Sequence, residues 1–122
     1  MYVHEYVWRE LQAFLPEKNR LGSDNLPVER FITTQGIKVH IDEYRQNSDT
    51  TIVVFHGVGG NGRIVSFIAV PLSRAGYNVI CPDLPGYGFT ENHKNVRYDD
   101  WIDVGVSVVD GELRKSRNVF LI

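Results

Sequence analysis

The chain has 122 residues, of which 43% are hydrophobic and 23% charged, and its formal net charge is −2. This composition is typical of a globular protein and supplies enough apolar residues for one small core. The balanced charge argues against nucleic-acid binding, and the single cysteine, Cys81, excludes an internal disulfide framework. The sequence contains neither a membrane-length apolar run nor a secretory signal, so we expect a cytoplasmic protein.

The first segment, residues 3–15, predicts an amphipathic helix that ends at Pro16. Its apolar residues recur at offsets of three and four, and they are Val3, Val7, Trp8, Leu11, Phe14 and Leu15. We expect this helix to pack on the domain, and contact with a membrane surface or a partner through residues 3–15 is the alternative. Residues 17–27 are polar, which indicates a loop. The predicted division is therefore an N-terminal helix and loop, 1–27, and a main domain, 28–122.

The main domain opens with two predicted strands, residues 29–34 and 37–42, joined by a tight turn at Gln35-Gly36. His40 falls on the polar side of the second strand, where apolar and polar residues alternate. The next strand, 51–55, is continuously apolar and β-branched, which is typical of a strand buried on both faces. An antiparallel pair therefore precedes a buried, parallel part of the sheet.

Strands and helices alternate through the rest of the chain. We expect a helix at 64–75 that kinks or restarts at Pro71, a strand at 77–81, a helix capped by Asp99 or Asp100, and a last strand at 118–122. Such alternation is typical of βαβ units. The predicted fold class is α/β, with antiparallel entry strands followed by a parallel βαβαβ arrangement.

A glycine-rich loop, residues 57–62, follows the first buried strand. Its backbone N–H groups can converge on a negative charge, aided by the N-terminus of the next helix. Gly57, Gly59 and Gly62 match G-x-G-x-x-G and Asp83 follows the next strand, a pattern that fits a dinucleotide-binding module. His56 directly before the glycines instead favours an oxyanion hole, in which backbone N–H groups stabilise an acyl-transfer intermediate.

Two motifs together resemble the alpha/beta-hydrolase family. Residues 56–60, His-Gly-Val-Gly-Gly, are similar to its oxyanion motif, and residues 83–90, Asp-Leu-Pro-Gly-Tyr-Gly-Phe-Thr, are similar to its D-x-x-G-x-G-x-S motif, with Thr90 in place of serine. The resemblance covers roughly residues 28–122 and implies the N-terminal half of that fold. It implies that Val58 supplies an oxyanion N–H and that His56, Gly57 and Gly59 shape the loop.

The resemblance also implies a mechanism, in which a serine attacks an ester and forms an acyl-enzyme without a metal or organic cofactor. The family's G-x-S-x-G nucleophile motif would come after the strand at 118–122, with the acid and histidine of the triad later still. We therefore expect this chain alone to be inactive and to require a C-terminal half, or another chain, at the 118–122 edge. A non-catalytic, hydrolase-like fragment is the alternative.

The resemblance favours one part of the family over another. Gly59 stands where haloalkane dehalogenase-like and epoxide hydrolase-like members tend to carry proline. Similarity to monoglyceride lipase-like and lysophospholipase-like members and to carboxylesterases implies a small-molecule ester as substrate. Tyr87 and Phe89 flank glycines and are candidates for lining the substrate entrance, with core packing as the alternative.

The remaining polar candidates have structural interpretations. His56 is expected to bond a loop carbonyl and Asp83 to hold its own loop, with no proton transfer by either. His4, His40 and His93 show no metal-ligand spacing among themselves, so no metal site is predicted. Cys81 is expected to be a small core residue.

Overall fold

The computed structural model describes residues 3–90 and 95–122, with side chains from Trp8 onward in the first helix. The elements in chain order are α1 (Val3–Gln12), a 3₁₀ turn (Glu17–Asn19), β1 (Val28–Thr34), β2 (Ile37–Tyr44), β3 (Thr50–Val53), α2 (Ser66–Arg74), β4 (Asn78–Pro82), α3 (Tyr98–Leu113) and β5 (Asn118–Leu121). His93 lies outside the described residues.

The five strands form one sheet in the order β1-β2-β4-β3-β5. β1 pairs antiparallel with β2, and β2 pairs antiparallel with β4. β3 lies parallel to both β4 and β5. The predicted α/β class, with an antiparallel entry and a parallel βαβαβ part, is confirmed.

β3 and β4 are buried on both faces because a helix covers each face. Ile52 and Val79 contribute to the core on the α2 side, whereas Val53 and Ile80 contribute to the core on the α3 side. This alternation follows from the two-residue period of a strand. Cys81 belongs to the α2-side core, where burial raises the pKa of its thiol well above the ordinary value. It is therefore an unreactive core residue, as expected.

Helix α2 includes Pro71 without a break, so the helix does not restart there. Proline lacks an N–H, so the carbonyl of Phe67, four residues earlier, loses its helical donor. The side-chain amide of Asn19 supplies that donor at 2.9 Å. A hydrogen bond from the 3₁₀ turn thus satisfies the carbonyl that Pro71 leaves open.

Two further helix ends differ from prediction. α1 ends at Gln12, because residues 13–15 form tighter turns with bonds between residues three apart. α3 begins at Tyr98, and Asp100 accepts the backbone N–H of Arg97 at 2.7 Å from the third helical position. Asp100 therefore caps the helix by bonding back to the residue before it.

The N-terminal segment contacts the domain through only part of its apolar set. Trp8 is buried and its ring lies 5.3 Å from the guanidinium carbon of Arg63. Phe14 is 85% exposed. Across the described ranges, no helix has both the length and the apolar character needed to cross a membrane.

An exposed apolar surface lies along α3 and the outer edge of β5. Its large apolar side chains are more than half exposed, and they are Ile102, Val106, Leu113, Phe120, Leu121 and Ile122. Apolar edges of this kind pair with other chains.

We expect the 122-residue chain to self-associate, as measured by light scattering at increasing concentration. Leu121→Lys should reduce association and Phe14→Lys should not, whereas a monodisperse wild-type monomer would contradict this expectation.

Candidate functional site

The two glycine motifs lie side by side at the carboxyl ends of β3 and β4. His56 joins them, because its Nε2 accepts the backbone N–H of Leu84 at 3.0 Å. Its Nδ1 lies 2.9 Å from the carbonyl oxygen of Gly57, which can only accept a hydrogen bond. His56 is therefore neutral with its proton on Nδ1, and the loop-carbonyl bond expected from the sequence is present.

Asp83 is the second link between the motifs. Its carboxylate is 1% exposed and accepts the backbone N–H of Gly62 at 2.6 Å and that of Phe89 at 2.9 Å. The same carboxylate lies 2.9 Å from Nδ1 of His40 on β2. A single buried side chain thus holds the end of one glycine loop against the other and ties both to the antiparallel entry strands.

Close packing around Asp83 explains two of the glycines. A Cβ on Gly88 would overlap the Asp83 carboxylate, and Gly88 also has a φ of +60°. A Cβ on Gly62 would overlap the carbonyl oxygen of Cys81 on β4. Glycine is needed at these positions because the backbone approaches its neighbours closely.

Thr90 retains the hydrogen bonds that a hydroxyl can make at the last position of the second motif. Its Oγ1 donates to the carbonyl of Asp83 at 2.5 Å and accepts the backbone N–H of His40 at 3.0 Å. The departure from serine leaves this network intact.

The apex of the first loop is open. Gly60 N–H donates to the Gly57 carbonyl at 3.0 Å, and Gly59 has a φ of +80°, so the chain turns tightly around Val58. The Val58 side chain is 85% exposed. Within residues 3–90 and 95–122, the Val58 N–H donates to no backbone or side-chain group. A donor of this kind can serve a ligand oxygen.

The structure separates the two aromatic candidates for the substrate entrance. Tyr87 lies against the glycine loop, with its ring centroid 5.2 Å from that of His56 and 5.8 Å from that of Trp101. Phe89 packs against His40 at 5.2 Å, on the side of the antiparallel strands. Tyr87 is therefore beside the candidate oxyanion loop, and Phe89 lines a different, polar cavity.

The sequence interpretation missed a buried polar cluster around His40. His40 is 3% exposed, because β2 has strands on both of its edges and Phe89 and Phe31 pack on the ring. Burial alone lowers the pKa of His40, but the hydrogen bond to Asp83 and the charges of Asp83 and Asp42 outweigh it and raise that pKa. His40 thus lies among polar groups, as the alternation in the sequence indicates, but this side of β2 is enclosed.

The available signal was the alternating run Lys38, His40, Asp42, followed downstream by Arg63. Asp42 is fully buried and receives two bonds from Arg63, Nε to Oδ2 at 2.6 Å and Nη2 to Oδ1 at 3.0 Å. Charged residues in the middle of a strand pattern are buried almost only in pairs. A search for such partners would have predicted that this face of β2 is enclosed.

A pH dependence follows from His56. Burial lowers the pKa of His56 below 6.5 in the folded state. As the pH falls, His56 therefore binds a proton in the unfolded chain at a higher pH than it does in the folded protein. The free energy of unfolding consequently decreases as the pH falls below about 6.5. Urea unfolding in the Leu121→Lys background at pH 7.5 and at pH 5.5 measures this effect. Between the two pH values, the free energy of unfolding should fall more in the protein with His56 than in the His56→Asn variant. Equal losses would contradict the neutral assignment.

The arrangement is poorly suited to a dinucleotide. A ribose-binding acid must face the ligand, but Asp83 is 1% exposed and its oxygens are engaged by Gly62, Phe89 and His40. The Gly62 N–H, which would face a pyrophosphate, points to Asp83 instead.

The mixed sheet carries a His-Gly loop after its third strand and a second glycine motif after its fourth, which is the arrangement of the N-terminal portion of an alpha/beta-hydrolase fold. A model of the family described as "alpha/beta hydrolase fold" matches residues 50–106, which include both motifs.

Known proteins support this assignment. The chain is 33% identical over 63 residues to an uncharacterized hydrolase of Saccharomyces cerevisiae, over 52% of this chain and 21% of that protein. An epoxide hydrolase mutant of Vigna radiata superposes with a TM-score of 0.66 at 26% identity, over 78% of this chain and 30% of that chain. An esterase from Exiguobacterium antarcticum superposes with a TM-score of 0.65 at 23% identity, over 77% of this chain and 34% of that chain.

The chain thus spans about a fifth of the yeast hydrolase and about a third of the two solved structures. The features that the chain shares with these proteins are the fold and the two motifs.

Proposed function

We propose that this chain is the oxyanion-loop portion of a carboxylic ester hydrolase that works through a serine acyl-enzyme. One observation carries the proposal: the unpartnered N–H of Val58 lies at the apex of a glycine loop after the third strand. Such an N–H can stabilise the carbonyl oxygen that becomes negative when a nucleophile attacks an acyl carbon.

In this mechanism the nucleophile and its acid and histidine partners come from residues beyond this chain. A serine would attack the ester carbonyl, the alcohol would leave with the proton relayed by histidine, and water would release the acid. Val58 N–H would bind the oxyanion together with the N–H of the residue after the nucleophile. His56, neutral and bonded at both nitrogens, shapes the loop and does not relay the proton.

An epoxide is the second candidate substrate, and the 26% identity to the Vigna radiata epoxide hydrolase favours it. Gly59, in place of the proline seen in similar enzymes, favours the ester. The product of the complete gene should be assayed with p-nitrophenyl esters of increasing acyl length and with styrene oxide. We expect ester hydrolysis and no diol formation, and the reverse result would replace the ester proposal with the epoxide one.

Two further proposals concern where the protein works. The composition favours the cytoplasm, and the exposed Phe14 at the end of residues 3–15 is available for a membrane surface.

The apolar edge of β5 would be covered by the C-terminal half of the hydrolase or by another chain. A non-catalytic role would follow if neither ester nor epoxide is turned over.

A further inference from the structure

A small cavity with several polar and charged side chains in its lining lies beside Asp83. Its volume is about 170 Å³, and it is lined by Trp8, Glu29, His40, Asn61, Arg63, Asp83 and Phe89. Residues 56–60 of the oxyanion loop do not line it. The cavity is therefore distinct from the site proposed for ester hydrolysis.

The orientation of His40 calls for a positive charge in this cavity. Asp83 accepts from Nδ1 at 2.9 Å, so a neutral ring carries its lone pair on Nε2. That nitrogen lies 3.0 Å from Oε1 of Glu29 and 3.8 Å from Oδ1 of Asp42. Carboxylate oxygens can only accept, so either a proton or a metal ion must lie between them and Nε2.

The spacing suits a metal ion. One ligand atom from each of Glu29, His40 and Asp42 lies within 4.8 Å of the other two. Zinc binds nitrogen and oxygen at about 2.0–2.2 Å, so neighbouring ligands in a tetrahedral site are about 3.3 Å apart. The distances from Nε2 to the two carboxylates bracket that value.

The surroundings of His40 match those of histidine ligands. A histidine that binds a metal usually donates its other N–H to a carboxylate, which fixes the ring and the free nitrogen. Asp83 has this position. Asp42 is also fixed in orientation, because Arg63 donates a hydrogen bond to each of its carboxylate oxygens. Each of these oxygens has a second lone pair that is available for a metal.

Asn61 gives an independent indication that the cavity holds a ligand. Its side chain is fully buried, and its Oδ1 accepts the N–H groups of Arg63 and Ile64 at 3.0 Å. Its Nδ2 has no hydrogen-bond partner among the described residues. A buried, unpaired amide donor is costly. A water or hydroxide at the fourth position of a metal would accept from it.

Charge also favours a divalent cation. Among the described residues, the carboxylates of Glu29, Asp42 and Asp83 face His40 and one guanidinium, that of Arg63, so the cluster carries an excess of negative charge that a cation would offset. The route in is open, because the Glu29 side chain is 52% exposed while the other two ligands are buried.

We propose that Glu29, His40 and Asp42 form a zinc site with a water as fourth ligand next to Asn61. Bound zinc would join β1 to β2, and through Asp83 and Arg63 it would brace the glycine loop. Zinc here would stabilise the fold and take no part in ester hydrolysis.

The test uses the metal-free chain in the Leu121→Lys background, which limits self-association, with His4→Asn and His93→Asn to remove the other two histidines outside the glycine loop. Calorimetric titration with ZnCl₂ should show one site per chain, and zinc should raise the melting temperature. Co²⁺ in its place should give the strong visible absorption of a tetrahedral ion.

Glu29→Gln tests the assignment at the exposed ligand, where a folded protein is retained. It should weaken zinc binding at least tenfold, whereas the control Glu17→Gln, at an exposed glutamate in the 3₁₀ turn, should leave binding unchanged. Absence of one-to-one binding, or equal affinity in Glu29→Gln and the control, would overturn the site and leave a protonated His40 to bridge the carboxylates. Neither result depends on ester hydrolysis, so the two proposals can fail separately.

Discussion

Replacing Gly88 with alanine is expected to lower the free energy of unfolding by about 3 kcal/mol. Roughly 1–2 kcal/mol comes from the left-handed backbone at this position, where φ is +60°. A further 1–3 kcal/mol or so comes from overpacking, because the new Cβ would overlap the buried Asp83 carboxylate. Displacing Asp83 also loosens its bonds to Gly62 and Phe89. Urea unfolding in the Leu121→Lys background measures the loss.

Gly86 provides a matched control in the same loop. Its φ is +88°, but the nearest atom to an added Cβ, Cγ2 of Val96, is 3.8 Å away, which is ordinary contact. Gly86→Ala should therefore show only the backbone contribution, about 1–2 kcal/mol. Equal losses in the two variants would mean that contact with Asp83 does not determine the glycine at position 88.

Val58→Pro is expected to lower kcat of the complete hydrolase by about 10²–10³-fold, with little change in KM. Proline has no N–H and so removes the oxyanion donor while keeping a side chain of similar bulk. This prediction rests on the proposed ester hydrolysis. Steady-state kinetics with the best p-nitrophenyl ester measure it, and the melting temperature checks that the loop variant is folded.

Val58→Ala is the control for this experiment. It removes most of an exposed side chain but keeps the N–H, so kcat should stay within a few-fold of wild type. If alanine lowers kcat as much as proline does, the side chain matters and the N–H assignment is wrong. If proline leaves kcat unchanged, Val58 does not contribute to the oxyanion hole.

Most strands and helices were predicted correctly from the sequence because hydrophobic periodicity and turn residues, which determine them, involve residues close together in the chain. The continuous apolar run at 51–55 overlaps β3 (Thr50–Val53), which is buried on both faces, and the alternation at 37–42 lies within β2 (Ile37–Tyr44). Glycine spacing placed both loops at the carboxyl ends of β3 and β4, where the structure has them. The physical reason is that periodicity and turn chemistry each depend on residues a few positions apart.

Features that depend on distant residues were not predictable in this way. Pro71 remains inside α2 because Asn19, far away in sequence, supplies the missing donor to Phe67. His40 is buried because Phe89 and Asp83 reach it from the loop after β4.

The cluster around His40 shows the same limit for site prediction. The spacing between the histidines alone does not indicate a metal site, because two of the three proposed ligands, Glu29 and Asp42, are carboxylates. Glu29 and Asp42 lie on neighbouring strands, and the pairing of β1 with β2 brings them to His40. Strand register, and not sequence spacing, sets this geometry.

We proposed above that this chain is part of a hydrolase whose nucleophile is a serine outside residues 1–122. The most direct measurement is fluorophosphonate labelling of the product of the complete gene, followed by intact mass and peptide mapping. We expect one label per molecule, on a serine within a Gly-x-Ser-x-Gly sequence that follows β5, and no label on the 122-residue chain alone. A label on a serine within residues 1–122, or an unlabelled complete product, would contradict it.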